Sequence, residues 1–230
     1  MSNCIEVHPD GGCHEIVKQI HHRVKNNLQV ICSLLRLQSQ YAMDDAARVM
    51  FRESEERVRS MALIHERLCR GGDSSQVQFD EYARQLVTQL QGSYHAKIPS
   101  VTLNLQLEEV RLSIEKAVPC GLLLNELFSN ALKYGRSEND QTVIGVNLKD
   151  HGHFFELEVY DHGCGIPSSV SLERPNTLGL RLVHALSGQL NATLAVERDN
   201  GTHFRLRCSK HEGVPLTEES HHATPEHTHL

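Results

Sequence analysis

Residues 113–134 read SIEKAVPCGLLLNELFSNALKY, and this stretch decides the fold of the second half of the chain. Its leucine-rich run predicts a long helix that is mostly buried, with Ser113 in position to cap the first turn. Four polar side chains nevertheless recur on one face at helical spacing: Glu126, Asn130, Lys133 and Tyr134. Because buried polar groups need partners, this face is either exposed or a ligand site.

The segments on both sides of this helix predict a two-layer α+β domain. Residues 101–107 alternate strictly between apolar and polar side chains, as a half-buried strand does. Further strands are predicted near residues 143–148, 154–160, 192–197 and 203–208, and further helices near residues 79–94 and 178–186. Three helices on one face of a mixed four- or five-stranded sheet would form an α/β sandwich.

Two helical stripes precede this domain. The first consists of Ile16, Ile20, Val24, Leu28, Ile31 and Leu35, and the second extends from Ala46 to Leu68. Asp44, in the short connection, is a suitable N-cap. Two long helices joined so closely must be antiparallel, and one hairpin buries too little apolar surface to be stable alone. We therefore expect a homodimer in which two hairpins form a four-helix bundle.

These patterns divide the chain into five parts. We expect a disordered leader at residues 1–12 that ends at Gly11-Gly12, a hairpin at 13–72, a linker at 73–78, the α+β domain at 79–210 and a disordered, histidine-rich tail at 211–230.

Composition limits the classes of function and the compartment. The 23 basic and 29 acidic side chains give a formal net charge of −6, which argues against nucleic-acid binding through bulk charge. No apolar run reaches the roughly 18 residues of a membrane span, and the first residues lack the apolar core of a signal peptide. The seven cysteines are scattered without a C-x-x-C pair, so free thiols in a reducing cytoplasm are expected.

The first candidate for chemistry is HHRVKNN at residues 21–27. His22 lies about 200° round the helix from the buried stripe and faces solvent, whereas His21 is half-buried. A neutral imidazole beside Lys25 is a plausible nucleophile for a phosphoryl group, and Asn26 adds a hydrogen-bonding side chain one turn on. On this stretch alone, a solvated polar helix face is the better interpretation. As a candidate nucleophile, His21 is the nearest rival of His22.

The second candidate is the polar face of the helix at residues 113–134. Its carboxylate, carboxamide and ammonium, from Glu126, Asn130 and Lys133, could hold hydrated Mg²⁺ beside a polyphosphate. Mg²⁺ keeps several of its waters, so one Asn oxygen suffices. An exposed amphipathic face explains the same residues equally well.

Three glycine-containing motifs follow this helix. Asp161 precedes Gly163 and Gly165 in a loop where the backbone can approach a planar ligand and a carboxylate can accept the amino group of adenine. Gly179 stands at a helix start, where free amides suit phosphates, and Thr202 enters the last strand. Each motif alone is also a common turn, but their order after the N-x-x-K-Y helix forms a joint pattern.

This joint pattern resembles a known domain. Residues 113–208 are similar to the ATP-binding domain shared by histidine kinases, gyrase B, Hsp90 and MutL. HHRVKNNLQ at residues 21–29 and SMALIHERL at residues 60–68 resemble the dimerisation and phosphoacceptor region of the HisKA-like/HWE group of sensor histidine kinases.

The resemblance implies that His22 is the phosphoacceptor. Only His22 puts Lys25, Asn27 and Leu28 in register with the general kinase motif H-E-x-K/R-x-P/N-L, although Arg23 stands where that motif has an acid.

The resemblance also implies the nucleotide site. Asn130 would bind Mg²⁺, with Glu126 assisting through water, and Lys133 would face the phosphates of ATP. The other residues assigned to ATP are Tyr134, Asp161, Gly163, Gly165, Gly179 and Thr202. Among these, Asp161 would bind adenine, Gly179 would begin the phosphate-binding helix and Thr202 would sit behind the adenine site. Only ten residues separate Gly165 from Asn176, so the lid over ATP should be short.

The implied function is ATP-dependent autophosphorylation of His22, with Lys25, Asn26 and Glu126 as the other catalytic residues. The phosphoryl group would pass to an aspartate of a response-regulator receiver domain. About a dozen residues before the hairpin are too few for a sensory domain, so either a separate sensory protein supplies the signal or the chain is part of a longer one.

Two alternatives use the same nucleotide domain: an ATP-binding phosphotransfer or scaffold protein, and an anti-sigma-type serine kinase. A gyrase- or Hsp90-like ATPase would need a transducer domain, for which no residues remain.

Overall fold

The computed structural model describes residues 9–70, 76–94, 101–135, 142–167, 177–198 and 200–210, with the side chains of residues 9–18 and 67–70 excepted. The predicted tail, most of the predicted leader and the first part of the predicted linker therefore lie outside the described residues. None of the helices in the described ranges is both long and apolar enough to cross a membrane.

Helices α1 (Pro9–Tyr41) and α2 (Asp45–Arg70) form the predicted antiparallel hairpin. Asp44 caps α2, because its Oδ1 accepts a hydrogen bond of 2.6 Å from the amide of Ala47. Arg36 contacts Glu55 further along the hairpin, with 2.7 Å between Nη2 and Oε1. The predicted N-cap and connection are confirmed.

The predicted helix boundary at Gly11-Gly12 is wrong, because α1 begins at Pro9 and passes through both glycines. Proline is favoured in the first turn of a helix, where its missing N–H is not needed. A glycine inside a helix costs about 1 kcal/mol relative to alanine, which a helix of this length tolerates.

The apolar stripe of α1 divides between two faces. Val24, Leu28 and Leu35 are half-buried in the hairpin. Ile20 and Ile31, which the sequence placed in the same buried stripe, remain 53% and 43% exposed. A single hairpin therefore leaves part of the predicted buried face uncovered.

The second half of the chain is the predicted α+β sandwich. Its helices are α3 (Phe79–Tyr94), α4 (Ile114–Tyr134) and α5 (Leu178–Gln189). Its strands are β1 (Gln76–Gln78), β2 (Val101–Leu107), β3 (Arg111–Ser113), β4 (Thr142–Asp150), β5 (Phe154–Asp161), β6 (Thr193–Glu197) and β7 (Thr202–Ser209). The main sheet has five strands in the order β2-β4-β5-β7-β6, and only β2 and β4 pair in parallel.

Two local features differ from the sequence expectation. Residues 76–78, predicted as linker, form β1, which pairs antiparallel with β3. Three residues are too few to show a strand period. Ser113 occupies the N-cap position of α4 but makes no side-chain capping bond. A hydrogen bond from the backbone amide of Glu115 and one from the Ser113 hydroxyl lower the pKa of the Glu115 carboxyl instead.

Helix α4 lies at the centre of the domain, and most of its residues are buried, including the polar Asn125 and Glu126. The helices cover the face of the sheet that carries Val146, Leu157 and Leu206, which are nearly inaccessible to solvent. The polar end of α4 points toward the end of β5 and the start of α5, and this placement forms the site.

Candidate functional site

A cavity of about 790 Å³ lies between α2 and the α+β domain. Nucleotide-sized ligands occupy cavities of about 300–1,000 Å³, so its size fits one. The residues that line it include nearly all those predicted to contact ATP: Glu126, Asn130, Lys133, Tyr134, Asp161, Gly165, Gly179 and Thr202. Four separate sequence motifs therefore meet in one space.

Asp161 lies at the end of β5 and is 6% exposed. Its Oδ1 accepts a hydrogen bond of 2.9 Å from the amide of Gly163, and Thr202 donates to it from both its backbone and its hydroxyl. Burial raises the pKa of the Asp161 carboxyl, and these hydrogen bonds oppose the rise. The carboxylate is thus fixed in orientation and able to accept the amino group of a base.

The loop after Asp161 requires glycine for two reasons. Gly165 has a φ of +72°, and a Cβ there would lie 2.9 Å from the carbonyl oxygen of Arg198. A Cβ on Gly163 would lie 2.7 Å from the Cα of Gly135, so Gly163 packs beside the cavity rather than lining it. The sequence interpretation missed Gly135. Its position directly after the polar face of α4 was the signal that could have identified it.

The start of α5 provides a second polar surface. Thr177 occupies its N-cap position, but the Thr177 hydroxyl accepts no hydrogen bond from the backbone amides of the first turn. The Oε2 atom of Glu126 lies 2.8 Å from the position that a Cβ on Gly179 would take. Backbone amides in the first turn of a helix attract phosphate oxygens. Because the Glu126 carboxylate beside them is negatively charged, a cation is needed if a phosphate is to bind there.

The residues in this cavity fit Mg²⁺ together with a nucleotide. Mg²⁺ prefers oxygen ligands, and both Glu126 and Asn130 line the cavity. Within the described part of the chain no group of three or more His, Cys, Asp or Glu residues could hold a metal by itself. The oxygen atoms of Glu126 and Asn130 suit an ion that keeps several of its waters and also binds phosphate oxygens.

Helix α2 contributes two charged side chains that the sequence interpretation missed. Arg57 donates from Nε to Glu126 Oε1 at 2.6 Å and from Nη2 to Glu126 Oε2 at 2.9 Å. Lys133 Nζ lies 2.6 Å from Oε1 of Glu53. Burial alone would lower the pKa of Lys133, but the hydrogen bond to Glu53 raises it above its ordinary value.

His22 is exposed on α1, as predicted, and lies outside this cavity. The Nδ2 atom of Asn26 lies 3.4 Å from His22 Nδ1. Lys25 is less free than expected, because its Nζ is 3.1 Å from Oε2 of Glu66. The predicted catalytic residues of α1 are therefore together, but apart from the nucleotide residues.

His21 is half-buried, as expected, and faces His65 of α2, with 3.1 Å between the two Nδ1 atoms. Burial lowers the pKa of both imidazoles. The sequence interpretation did not identify His65 as a partner. Since the Nδ1 atom of His21 is occupied inside the hairpin, His22 is the more accessible imidazole.

The two parts of the site are separated along α2. Arg57 is the last α2 residue that lines the cavity, whereas the His21 contact is made by His65, eight residues further on. At 1.5 Å per residue this separation is about 12 Å along the helix axis. The cavity and His22 therefore do not meet in this arrangement.

Two family models match the chain. Residues 19–94 match a model described as "Histidine kinase". Residues 115–212 match a model described as "Histidine kinase-, DNA gyrase B-, and HSP90-like ATPase". The two matches correspond to the hairpin with α3 and to most of the α+β sandwich.

Curated relatives carry related names. The chain is 31% identical over 199 residues to a sensor histidine kinase, PdtaS, from Mycobacterium tuberculosis, an alignment that covers 83% of this chain and 38% of the relative. It is 28% identical over 191 residues to "Blue-light-activated histidine kinase 2" of Erythrobacter litoralis, covering 78% of this chain and 52% of the relative. The chain thus spans about two-fifths to a half of the length of these relatives.

A solved structure has the same fold. The histidine kinase domain of a blue-light activated histidine kinase from Erythrobacter litoralis matches with a TM-score of 0.64 and 22% identity, covering 86% of this chain and 94% of that one. At this identity the likeness concerns the fold.

Proposed function

We propose that this chain uses ATP to phosphorylate its own His22 and then transfers the phosphoryl group to a response-regulator aspartate. Its residues 19–94 match the histidine kinase model, and its residues 115–212 match the ATPase model that histidine kinases share with DNA gyrase B and HSP90. The cavity carries this proposal, because residues from α4, β5, α5 and β7 that were assigned to ATP separately line it together. The charged side chains of the cavity and the first-turn amides of α5 are groups that bind a nucleoside triphosphate.

Several residues of the cavity have a role in holding ATP. Asp161 accepts the amino group of adenine, while Lys133 and the first-turn amides of α5 bind phosphate oxygens. Asn130 and Glu126 would hold Mg²⁺, which when bound neutralises charge on the phosphates. Such a reaction depends mainly on positioning and electrostatics.

The reacting atom of His22 is Nε2. Its lone pair forms a bond to the γ-phosphorus while the bond to the β–γ bridging oxygen breaks, and ADP leaves. The oxygen and nitrogen of an amide are interchangeable by a flip, so the Asn26 carbonyl can accept the Nδ1–H of His22. That contact leaves the Nε2 lone pair free, and the Nδ1 proton passes to solvent after transfer.

The proposed partners follow from the reaction and from the hairpin. A receiver domain supplies the acceptor aspartate, and a sensory protein or domain supplies the signal. The exposed apolar face of α1 supports a homodimer through a four-helix bundle. Because the reaction consumes ATP, we place it in the cytoplasm.

Replacing His22 tests the proposal. With γ-³²P-labelled ATP and Mg²⁺, the wild-type chain should take up a label that is lost in acid and kept in alkali. His22→Ala should reduce this label to background while nucleotide binding is unchanged, because His22 lies outside the cavity. His184→Ala removes another exposed histidine, on α5, and should label like wild type.

The alternative functions give different results. Undiminished labelling of His22→Ala would assign the site to His21 or another residue. An Asn130→Asp variant that labels at the wild-type rate would favour a scaffold whose ATP domain does not catalyse. An acid-stable label on a serine of a partner protein would favour a serine kinase.

A further inference from the structure

Helix α2 holds the ATP-binding domain through two ion pairs to α4. In one, the guanidinium of Arg57 forms a two-pronged contact with Glu126, at 2.6 and 2.9 Å. In the other, Lys133 Nζ lies 2.6 Å from Oε1 of Glu53. Arg57 and Glu53 are one turn apart on α2, with 3.6 Å between Nη2 and Oε2. These side chains form a series of alternating charges, in a contact between hairpin and domain that also includes the buried Ile64 of α2.

These ion pairs are shielded from water to different degrees. The side chains of Arg57 and Glu126 are 13% and 6% exposed, and those of Lys133 and Glu53 are 24% and 27% exposed. A two-pronged arginine–carboxylate contact is the stronger geometry, and shielding increases its electrostatic strength. The Arg57–Glu126 pair is therefore the stronger of the two ion pairs, and the Lys133–Glu53 pair supports it.

The α4 side chains in these ion pairs are the two charged groups assigned to Mg²⁺ and phosphate. Both carboxylate oxygens of Glu126 are engaged by Arg57, so they are not free to orient the waters of a metal ion. The ammonium of Lys133 is similarly paired with Glu53, which also lines the cavity. Nucleotide binding and the α2 contact therefore compete for the same two groups.

The position of the contact also conflicts with phosphoryl transfer. It lies about 12 Å along α2 from the level of His65, where His21 and hence His22 are found. In-line attack requires the γ-phosphorus to be within about 3–3.5 Å of the attacking nitrogen. The ATP-binding domain must therefore leave α2 at Arg57 before the cavity can serve His22 of the same chain.

From these contacts we propose that Glu53 and Arg57 form a latch that holds the nucleotide-free kinase in a resting state and competes with Mg²⁺·ATP for Glu126 and Lys133. The latch rests on the proposed function, because it assumes that Glu126 and Lys133 serve ATP. A protein whose binding-competent state is only partly populated shows an affinity reduced by that fraction. Opening the latch by mutation should therefore strengthen binding.

The test is the affinity for Mg²⁺·ATP, measured by titration calorimetry on the whole chain. Arg57→Ala should lower Kd about tenfold, and Glu53→Gln, which opens the latch from its other side, should lower it several-fold. Arg57→Lys keeps the charge without the two-pronged geometry and should fall between Arg57→Ala and wild type. Arg52→Ala, an exposed arginine on the same helix, should leave Kd unchanged.

A second readout separates the latch from a simple stabilising contact. The initial rate of His22 labelling at ATP concentrations below Kd should rise in Arg57→Ala and Glu53→Gln, whereas loss of a stabilising contact would lower it. An unchanged or larger Kd in both variants, with melting temperatures that show them folded, overturns the latch. If even the wild-type chain takes up no label while both variants bind ATP more tightly, the proposed kinase reaction fails and the competition at Glu126 stands.

Discussion

At the scale of single residues, Asp161 shows how the fold prepares a polar group for a ligand. Its carboxyl is buried, which raises its pKa, yet three hydrogen bonds from Gly163 and Thr202 hold it in place. Buried carboxylates are unfavourable unless they are hydrogen-bonded, so this group is retained against a folding cost. A ligand that donates a further hydrogen bond would use the acceptor capacity that remains.

Asp161→Asn should separate binding from stability. The amide keeps the shape of the side chain but loses the charge that strengthens a hydrogen bond from adenine, so Kd for ATP should rise about tenfold or more. The melting temperature should change by only a few degrees, because burial already disfavours the charged form. Nucleotide titration and thermal melts measure the two effects.

The matched control is Asp150→Asn, which makes the same change at the exposed end of β4. It should leave nucleotide affinity as in the wild type. Equal affinities of wild type and Asp161→Asn would remove Asp161 from the adenine site.

Individual site residues were predictable where a local pattern marks them. The spacing of Glu126 and Asn130 on one helix face, and the glycines after Asp161, are local signals. The cavity brings Glu126, Asn130, Asp161 and Gly165 together. Arg57 gave no such signal. It is 69 residues from Glu126 in sequence, and the sequence interpretation of α2 concerned only its apolar stripe.

At the scale of elements, the hairpin is held by a histidine pair as well as by apolar contacts. His21 and His65 face each other with their Nδ1 atoms 3.1 Å apart. This distance allows one neutral imidazole to donate a hydrogen bond to the other. Two protonated rings in the same position would repel each other.

The pair predicts a loss of stability in mild acid. Burial lowers the folded pKa of both histidines below the ordinary value of about 6.5, so the unfolded chain takes up protons first as the pH falls. The stability contributed by the pair is complete above about pH 6.5 and is lost as the pH falls below it toward the lowered folded values. His65→Gln should reduce this loss.

Thermal melts at pH 7.5 and 5.5 measure the effect. Each kcal/mol corresponds to about 2–4 °C in a domain of this size, so the drop in melting temperature should be a few degrees smaller in His65→Gln than in wild type. His184→Gln, at an exposed position of α5, should keep the wild-type drop. A drop that is identical in all three proteins would show that the half-buried pair carries no proton-linked stability.

Elements were predictable in proportion to their length. Helix α3 was predicted to its observed ends, and the five strands of the main sheet were each located from alternation or apolar runs. The short strands β1 and β3 and the start of α1 at Pro9 were missed. Three residues carry no period, and glycines within a long helix are tolerated although they usually mark its end.

At the scale of the whole molecule, the hairpin has two apolar faces, and only one is covered within a chain. The face that packs on α2 includes Val24 and Leu28, which are half-buried. The other face of α1 carries Ile31, Leu34 and Tyr41, which are 43%, 56% and 78% exposed. The sequence predicted one stripe and a homodimer, but periodicity alone did not separate the two faces.

A second copy of the hairpin is the occupant that fits the exposed face. It would present the same side chains in return, as a two-fold interface requires, and would complete a four-helix bundle. Ile31→Asp with Leu34→Asp places two charges in the middle of this face. Since an unpaired charge in a buried interface is unfavourable, the double variant should be monomeric at concentrations where the wild-type chain is a dimer.

Light scattering coupled to size-exclusion chromatography gives the mass of each species directly. Gln40→Asp adds a charge on a different side of α1, away from the apolar face, and should leave the dimer intact. A wild-type chain that elutes with the mass of one chain, 25.9 kDa, would show that a second copy does not cover the face. Because the face is separate from the cavity, the double aspartate variant should still bind ATP as the wild type does. If this variant loses labelling while Gln40→Asp keeps it, the phosphoryl group is transferred between the two chains of the dimer.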